Sequence, residues 1–83
     1  MFERTIFSAR LKGLIQQGNM TYARLAEILG VSTAQVSDMA NGKTATTMER
    51  LYTLCQTFEV SADYLLGLTD EPRPLFQENE QRK

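Results

Sequence analysis

The stretch Met20–Thr44, MTYARLAEILGVSTAQVSDMANGKT, decides the fold of this chain. Its first half predicts a short helix that begins after the polar Thr21 and carries apolar residues at helical spacing. Gly30 then supplies a residue that tolerates a positive φ, as the end of a helix requires. Ser32-Thr33 can cap a second helix, and Asn41-Gly42 stops it. The stretch therefore predicts two helices joined by a tight turn.

Two short helices with a glycine in the turn between them form a helix-turn-helix, whose second helix can enter the major groove of DNA. The residues LAEILGVS, followed by an apolar-polar-apolar helix and then NGK, resemble the helix-turn-helix domain of the Cro and phage-repressor class, the Cro/C1 or XRE-like family. The resemblance covers about residues 6–68. It implies an all-α fold of five short helices around one small core, and a homodimer that binds double-stranded DNA.

Hydrophobic periodicity places the first three helices. One is expected over about residues 3–17, because Phe7, Leu11, Leu14 and Ile15 share one face, and the motif supplies helices over about 22–29 and 33–40. Asn19 is expected to take the left-handed conformation after the first helix. In the third helix, Val36 and Met39 are expected to point into the core.

The second half of the chain predicts two more helices and a tail. The fourth helix is expected to begin at Thr46 or Thr47, with Thr46-x-x-Glu49 as a capping box and Met48 on its apolar face. The fifth follows Ser61, and the domain is expected to cover residues 1–68. Residues 69–83 are polar and contain two prolines, so they predict a disordered tail, whose Leu75-Phe76 pair has partner docking as the alternative.

Composition excludes several classes of protein. With 83 residues the chain makes one small domain, and its single Cys55 and lack of histidine predict no disulfide, no zinc site and no cofactor. No glycine-rich phosphate loop or pair of nucleophile and base is present, so we expect no enzyme. No apolar run approaches a membrane span, and the N-terminus does not resemble a signal peptide, so a cytoplasmic protein is expected.

Charge is divided unevenly along the chain. The net charge is -1, which argues against a strong electrostatic attraction to DNA. Residues 4–44, however, carry five cations and two anions, whereas residues 45–83 carry four cations and seven anions. The basic half therefore holds the motif.

Base reading is expected from the N-terminal and outward residues of the third helix. Gln35 is the strongest candidate, because its amide can pair with adenine, although Ser32-x-x-Gln35 also fits a capping box that would turn the amide back onto its own helix. Asp38 could accept from a cytosine amino group, pair with a nearby cation, or mark a surface that does not bind DNA. The candidates are Ser32, Thr33, Ala34, Gln35, Ser37 and Asp38.

Phosphate contacts are expected from the start of the second helix and from the loop after the third. A helix N-terminus presents free N–H groups and a positive dipole end to an anion. Tyr22 stands where the resembling family most often has Gln, and it has a packing role as its alternative. For Arg10, Lys12 and Gln16 on the first helix, the alternatives are a solvated face and phosphate contact. The phosphate candidates are Thr21, Tyr22, Asn41, Lys43 and Thr44.

The sequence departs from the resembling family at one pair of positions. Many members have an ion pair where Ile15 and Ala40 stand here, and the loss of both charges together leaves no uncompensated buried ion. The resemblance implies a transcriptional regulator of prophage or mobile-element type, most simply a repressor. The alternative is a protein-interaction module on the same fold, antirepressor-like or antitoxin-like, with little DNA affinity.

Overall fold

The computed structural model describes residues 2–72 and contains five α-helices in them, without any strand. The helices are α1 (Arg4–Gln17), α2 (Tyr22–Leu29), α3 (Thr33–Ala40), α4 (Met48–Phe58) and α5 (Ala62–Leu66). The predicted all-α fold with five helices is confirmed, and the bounds of the first three helices agree with the prediction to within one residue. In the part of the chain that is described, no helix is both long enough and apolar enough to cross a membrane.

The core lies where α1 packs against α3 and α5, and α2 packs against α3 and α4. Val36 and Met39 are buried, as their spacing predicted, and the small Ala26 is buried at the crossing of α2 and α3. Ile15 and Ala40 are each 2% exposed, so apolar packing occupies the positions that carry an ion pair in the resembling family. The buried hydrophobic residues are Phe7, Leu11, Ile15, Leu25, Ala26, Val36, Met39, Ala40, Leu54, Val60 and Leu65.

Polar residues fix the start of every helix after α1. Thr21, Ser32, Thr47 and Ser61 each accept a hydrogen bond through the side chain from the backbone N–H three residues further on. Such a bond satisfies one of the N–H groups that a helix start leaves unpaired. Gly30 ends α2 with a φ of 72°, and Asn19 follows α1 with a φ of 53°, so both predicted turns are confirmed.

The start of α4 corrects two predictions. Thr47 caps the helix, because its Oγ1 accepts from the N–H of Arg50 at 3.2 Å; the capping box predicted between Thr46 and Glu49 is therefore wrong. The Oγ1 of Thr46 is instead buried without a hydrogen-bond partner among residues 2–72. Met48 is 85% exposed, so its predicted place on the apolar face is also wrong. Its spacing continues the apolar stripe, but as the first residue of α4 it lies beyond the edge of the core.

Arg10 joins α1 to the segment that follows α5. Its half-buried guanidinium donates to the carbonyl oxygens of Tyr64 and Thr69 and to the carboxylate of Asp70 at 2.8 Å. It also lies 4.3 Å from the centre of the Tyr64 ring, at a distance typical of a cation–π contact. Both predicted alternatives for Arg10, a solvated position and a phosphate contact, are therefore wrong. Only its packing environment reveals this role.

The first residues of the predicted tail lie against the domain. Besides the contacts to Arg10, the carbonyl of Pro72 accepts from the N–H of Ser61 at 2.8 Å. These hydrogen bonds place residues 69–72 alongside α5. The remainder of the predicted tail, with Leu75-Phe76, lies outside the described residues.

Cys55 behaves as a small hydrophobic residue of α4. It is half-buried on α4 and packs against the core. Burial raises the pKa of the Cys55 thiol, so the neutral thiol is favoured.

Two glycines give opposite stability predictions. Gly67 has a φ of 86°, and a Cβ added there would lie 3.0 Å from Cγ2 of Ile6, whereas a Cβ on the helical Gly13 would meet nothing within 4 Å. We expect Gly67→Ala to lower the free energy of unfolding by about 1–2 kcal/mol. Gly13→Ala should raise it by about 0.5–1 kcal/mol, because alanine favours the helix. Urea unfolding followed by circular dichroism measures both changes in the free energy of unfolding. Equal effects would contradict the opposite roles assigned to the two glycines.

Candidate nucleic-acid interface

The outer side of α3 is open to solvent while its inner side is buried. Thr33, Ala34 and Gln35 are exposed, and Ser37 and Asp38 are half-exposed. Val36 and Met39 anchor the helix from beneath. The helix therefore presents short polar or apolar side chains on an otherwise unobstructed surface, with Gln35 as the longest of them.

Gln35 forms the capping box that was one of its two predicted alternatives. Its Oε1 accepts from the N–H of Ser32 at 3.0 Å, while its own N–H donates to Oγ of Ser32 at 3.1 Å. The two residues thereby satisfy each other's unpaired backbone donors at the start of α3. The side chain remains exposed, so base reading by Gln35 stays a prediction that requires a change of rotamer or uses only the amide Nε2.

Asp38 lies beside a cation that the sequence did not single out. Gln35, Asp38, Thr44 and Arg50 line one cleft of about 160 Å³ between α3 and the start of α4. Among residues 2–72 Asp38 makes no ion pair within 4.0 Å, so the two opposite charges share the cleft without direct contact. Arg50 belongs to another helix, and no local spacing pattern brings it next to Asp38.

The loop after α3 folds back onto the last turn of that helix. Asn41 Nδ2 donates to the carbonyl of Ser37 at 2.9 Å and to its Oγ at 3.2 Å, and the N–H of Lys43 donates to the carbonyl of Asp38 at 2.9 Å. These bonds satisfy carbonyls that the end of a helix leaves unpaired. The side chains of Lys43 and Thr44 remain exposed, as phosphate contacts would require.

The start of α2 forms a separate part of the candidate interface. The Oγ1 of Thr21 accepts from the N–H of Arg24 at 3.0 Å, so Thr21 caps the helix. Tyr22 is half-buried and packs against the core, which supports its alternative packing role. Within residues 2–72, neither residue shares a side-chain hydrogen bond with the candidates of α3 and its loop.

Two cations of α1 approach the loop after α3. Arg4 Nη1 donates to the carbonyl of Lys43 at 3.0 Å, and Lys12 Nζ donates to Oδ1 of Asn41 at 3.2 Å. Arg4 was not among the predicted site residues, because a contact across 39 positions leaves no local signal in the sequence.

The match to a family model agrees with this geometry. Residues 11–65 match the model of the helix-turn-helix family HTH_3. This match covers more than half of the chain. The chain therefore belongs to the helix-turn-helix family.

Particular relatives are similar over most of the chain. An HTH-type transcriptional regulator of Bacillus subtilis, YobD, is 30% identical over 83% of this chain and 62% of its own length. The HTH-type transcriptional regulator PrpR of Mycobacterium tuberculosis is 33% identical over 83% of this chain but only 14% of its own length. This chain thus spans less than two thirds of the length of either curated relative.

A solved structure supports the same fold. The repressor c2 of P22, crystallised in complex with a synthetic operator, superposes with a TM-score of 0.70 and is 26% identical in sequence. The match covers 74% of this chain and 92% of the repressor chain.

Asp38 gives a prediction for the electrostatics of this surface. We expect Asp38→Asn to raise affinity for a mixed-sequence DNA duplex roughly fivefold at low salt, because a carboxylate repels the phosphates. Asp63→Asn makes the same charge change on the exposed surface of α5 and should have a smaller effect. Fluorescence anisotropy measures both affinities, and equal gains would show that only net charge matters.

Proposed function

We propose that this chain is a sequence-specific DNA-binding transcriptional regulator, a repressor of prophage or mobile-element type. The observation that carries the proposal is the exposed outer side of α3, held by caps and buried anchors within a helix-turn-helix. The repressor would act by occupying an operator with α3 in the major groove, a mechanism that needs no chemical step. DNA as the ligand implies action in the cytoplasm.

The division of roles follows from the side chains. Thr33, Ala34 and Gln35 would meet base edges, while Lys43 and Thr44 would meet phosphates from the loop. At the other end of the motif, the first N–H groups of α2 have no partner within the helix and would bind a second phosphate. The complex of the P22 repressor with an operator supports DNA as the ligand of this fold.

Homodimerisation belongs to the same proposal, because one small interface with few cations would bind weakly. A dimer would place two copies of α3 in half-sites about 34 Å apart. A groove of about 320 Å³ between the start of α1 and the end of α5 supplies an apolar surface for it. Phe2 is 43%, Ile6 37% and Leu68 74% exposed there. We assign the dimer contact to this surface.

Affinity selection from a pool of random duplexes tests sequence-specific binding. The wild type should enrich a near-palindrome, and Gln35→Ala should relax the preference at one base position of each half-site. Gln35→Glu is the matched control, since a glutamate keeps the capping box but cannot donate to a base. We expect Gln35→Glu to unfold at a temperature close to that of the wild type. It should also change the sequence preference at the same base position as Gln35→Ala.

A wild type that enriches no sequence at low salt would overturn the proposal. The second candidate function, a protein-interaction module, would then be favoured, because Asp38 places a carboxylate on the surface of α3. Unchanged enrichment by both Gln35 variants would leave DNA binding intact but remove Gln35 from base reading.

The dimer surface has its own test. Leu68→Glu should dissociate the dimer, because it buries a charge in an apolar contact, and sedimentation equilibrium should show at least a tenfold weaker association. Met48→Glu places the same charge on an exposed apolar residue of α4 and should leave the association unchanged. A monomeric wild type at all concentrations would refute the dimer.

A further inference from the structure

Leu68 is a large apolar residue that the fold holds in place without burying it. Its side chain is 74% exposed. Its N–H nevertheless donates to the carbonyl of Asp63 at 2.8 Å, and the N–H of Gly67 donates to the carbonyl of Tyr64 at 3.1 Å. An exposed leucine gains little from the hydrophobic effect within its own chain. The fixed backbone around Leu68 therefore does not serve the burial of its side chain.

Arg10 fixes the chain on both sides of Leu68. Its guanidinium donates to the carbonyl of Tyr64, which precedes Leu68 in α5, and to the carbonyl of Thr69, which follows it directly. One side chain can hold both carbonyls, because the donors of a planar guanidinium have fixed directions. Leu68 thus lies between two backbone groups that α1 holds in place.

Arg10 also lies close to the groove that we assign to the dimer contact. It follows Ile6 by four residues in α1, so the two side chains share one face of that helix. Ile6 forms part of one wall of the groove, and Leu66 and Leu68 form part of the other. Arg10 does not line the groove, and its side chain is only 20% exposed. Its effect on a dimer would therefore act through Leu68 and not through direct contact.

The charge of Arg10 does not account for its position. The carboxylate of Asp70 is fully exposed, and an ion pair with such a group is weak. The other two acceptors are main-chain carbonyls, one in α5 and one beyond it. The main effect of the side chain is therefore to fix the course of the backbone at the end of α5.

We propose that Arg10 is a positioning residue for the contact between two copies of this chain, because it holds Leu68 in the orientation that the second copy meets. The inference rests on the proposed dimer and adds a residue that lies outside the contact itself. Association is penalised for each loop and side chain that becomes ordered in an interface. The hydrogen bonds of Arg10 order the backbone at Leu68 in the free chain, which reduces this penalty.

Sedimentation equilibrium of the full chain without DNA tests the role of Arg10. Arg10→Met keeps an apolar stem beside the Tyr64 ring but removes every donor, and it should weaken association about tenfold. Arg10→Lys keeps the charge but not the fork of donors, and it should weaken association at least about threefold. Arg24→Met makes the same change of charge as Arg10→Met on the exposed surface of α2, and it should leave association unchanged.

A double-mutant cycle shows whether Arg10 acts through Leu68. Leu68→Ala removes the side chain that Arg10 positions, so adding Arg10→Met to it should weaken association by no more than about twofold. Asp70→Asn removes the ion pair but leaves both carbonyl contacts, and it should associate within about twofold of the wild type. Equal losses from Arg10→Met with and without the Leu68 side chain would overturn the inference. A loss in Asp70→Asn as large as that in Arg10→Met would also overturn it.

Amide hydrogen exchange gives a readout within a single copy. The N–H of Leu68 should exchange at least about tenfold faster in Arg10→Met than in the wild type. The N–H of Val36, which donates to the carbonyl of Ser32 at the start of α3, should be accelerated less. Equal acceleration of both amides would show a loss of stability in the whole domain and would overturn the local role of Arg10.

The outcomes distinguish this inference from the dimer on which it rests. A wild type that is monomeric at all concentrations overturns both. A dimeric wild type, together with unchanged association in Arg10→Met and Arg10→Lys, overturns the role of Arg10 alone. Circular dichroism checks that each variant is folded, and Arg10→Lys carries the test if Arg10→Met does not fold. Because the assay contains no DNA, a failure of DNA binding does not alter its result.

Discussion

The structure depends on how closely α2 and α3 approach each other. Gly30 turns the chain in a left-handed conformation, and Ser32 caps α3 only two residues later. The angle between the helices is then held by Leu25 and Ala26 on one side and Val36 on the other, all buried. A larger side chain at Ala26 would separate the backbones, because close-packed interiors have little free volume. The crossing of α2 and α3 therefore determines which residues of α3 face the solvent.

Around this unit, α1 and α5 supply the rest of the core and fix the ends of the chain. Arg10 uses a planar fork of donors to hold the carbonyl of Tyr64 in α5 and the carbonyl of Thr69 beyond the end of that helix. Its contact with the ring of Tyr64 shields it from water. Its ion pair with Asp70 adds little, since that carboxylate is fully exposed. The guanidinium therefore acts mainly through backbone hydrogen bonds.

The sequence predicted those parts of the fold that depend on local periodicity and turn chemistry. Helix bounds, the left-handed Asn19, and the inward Val36 and Met39 all follow from spacing over a few residues. The failures at Thr46 and Arg10 have different causes. The cap of α4 lies one residue further on, at Thr47, whereas the role of Arg10 depends on α5 and the segment after it. For the candidate interface, the sequence predicted residues on α3 and its loop, whose binding roles stay a prediction. It did not reveal the neighbours Arg4 and Arg50, which come from distant helices.

The capping box at Ser32 and Gln35 changes which bases a capped Gln35 can recognise. With Oε1 engaged by the N–H of Ser32, the exposed end of the side chain offers donors alone. Adenine presents an acceptor beside a donor in the major groove, whereas guanine presents two acceptors, N7 and O6. A capped Gln35 is thus matched to guanine, and only a released one is matched to adenine. In the proposed complex with DNA, the hydrogen bond that begins the helix would therefore also select between two purines.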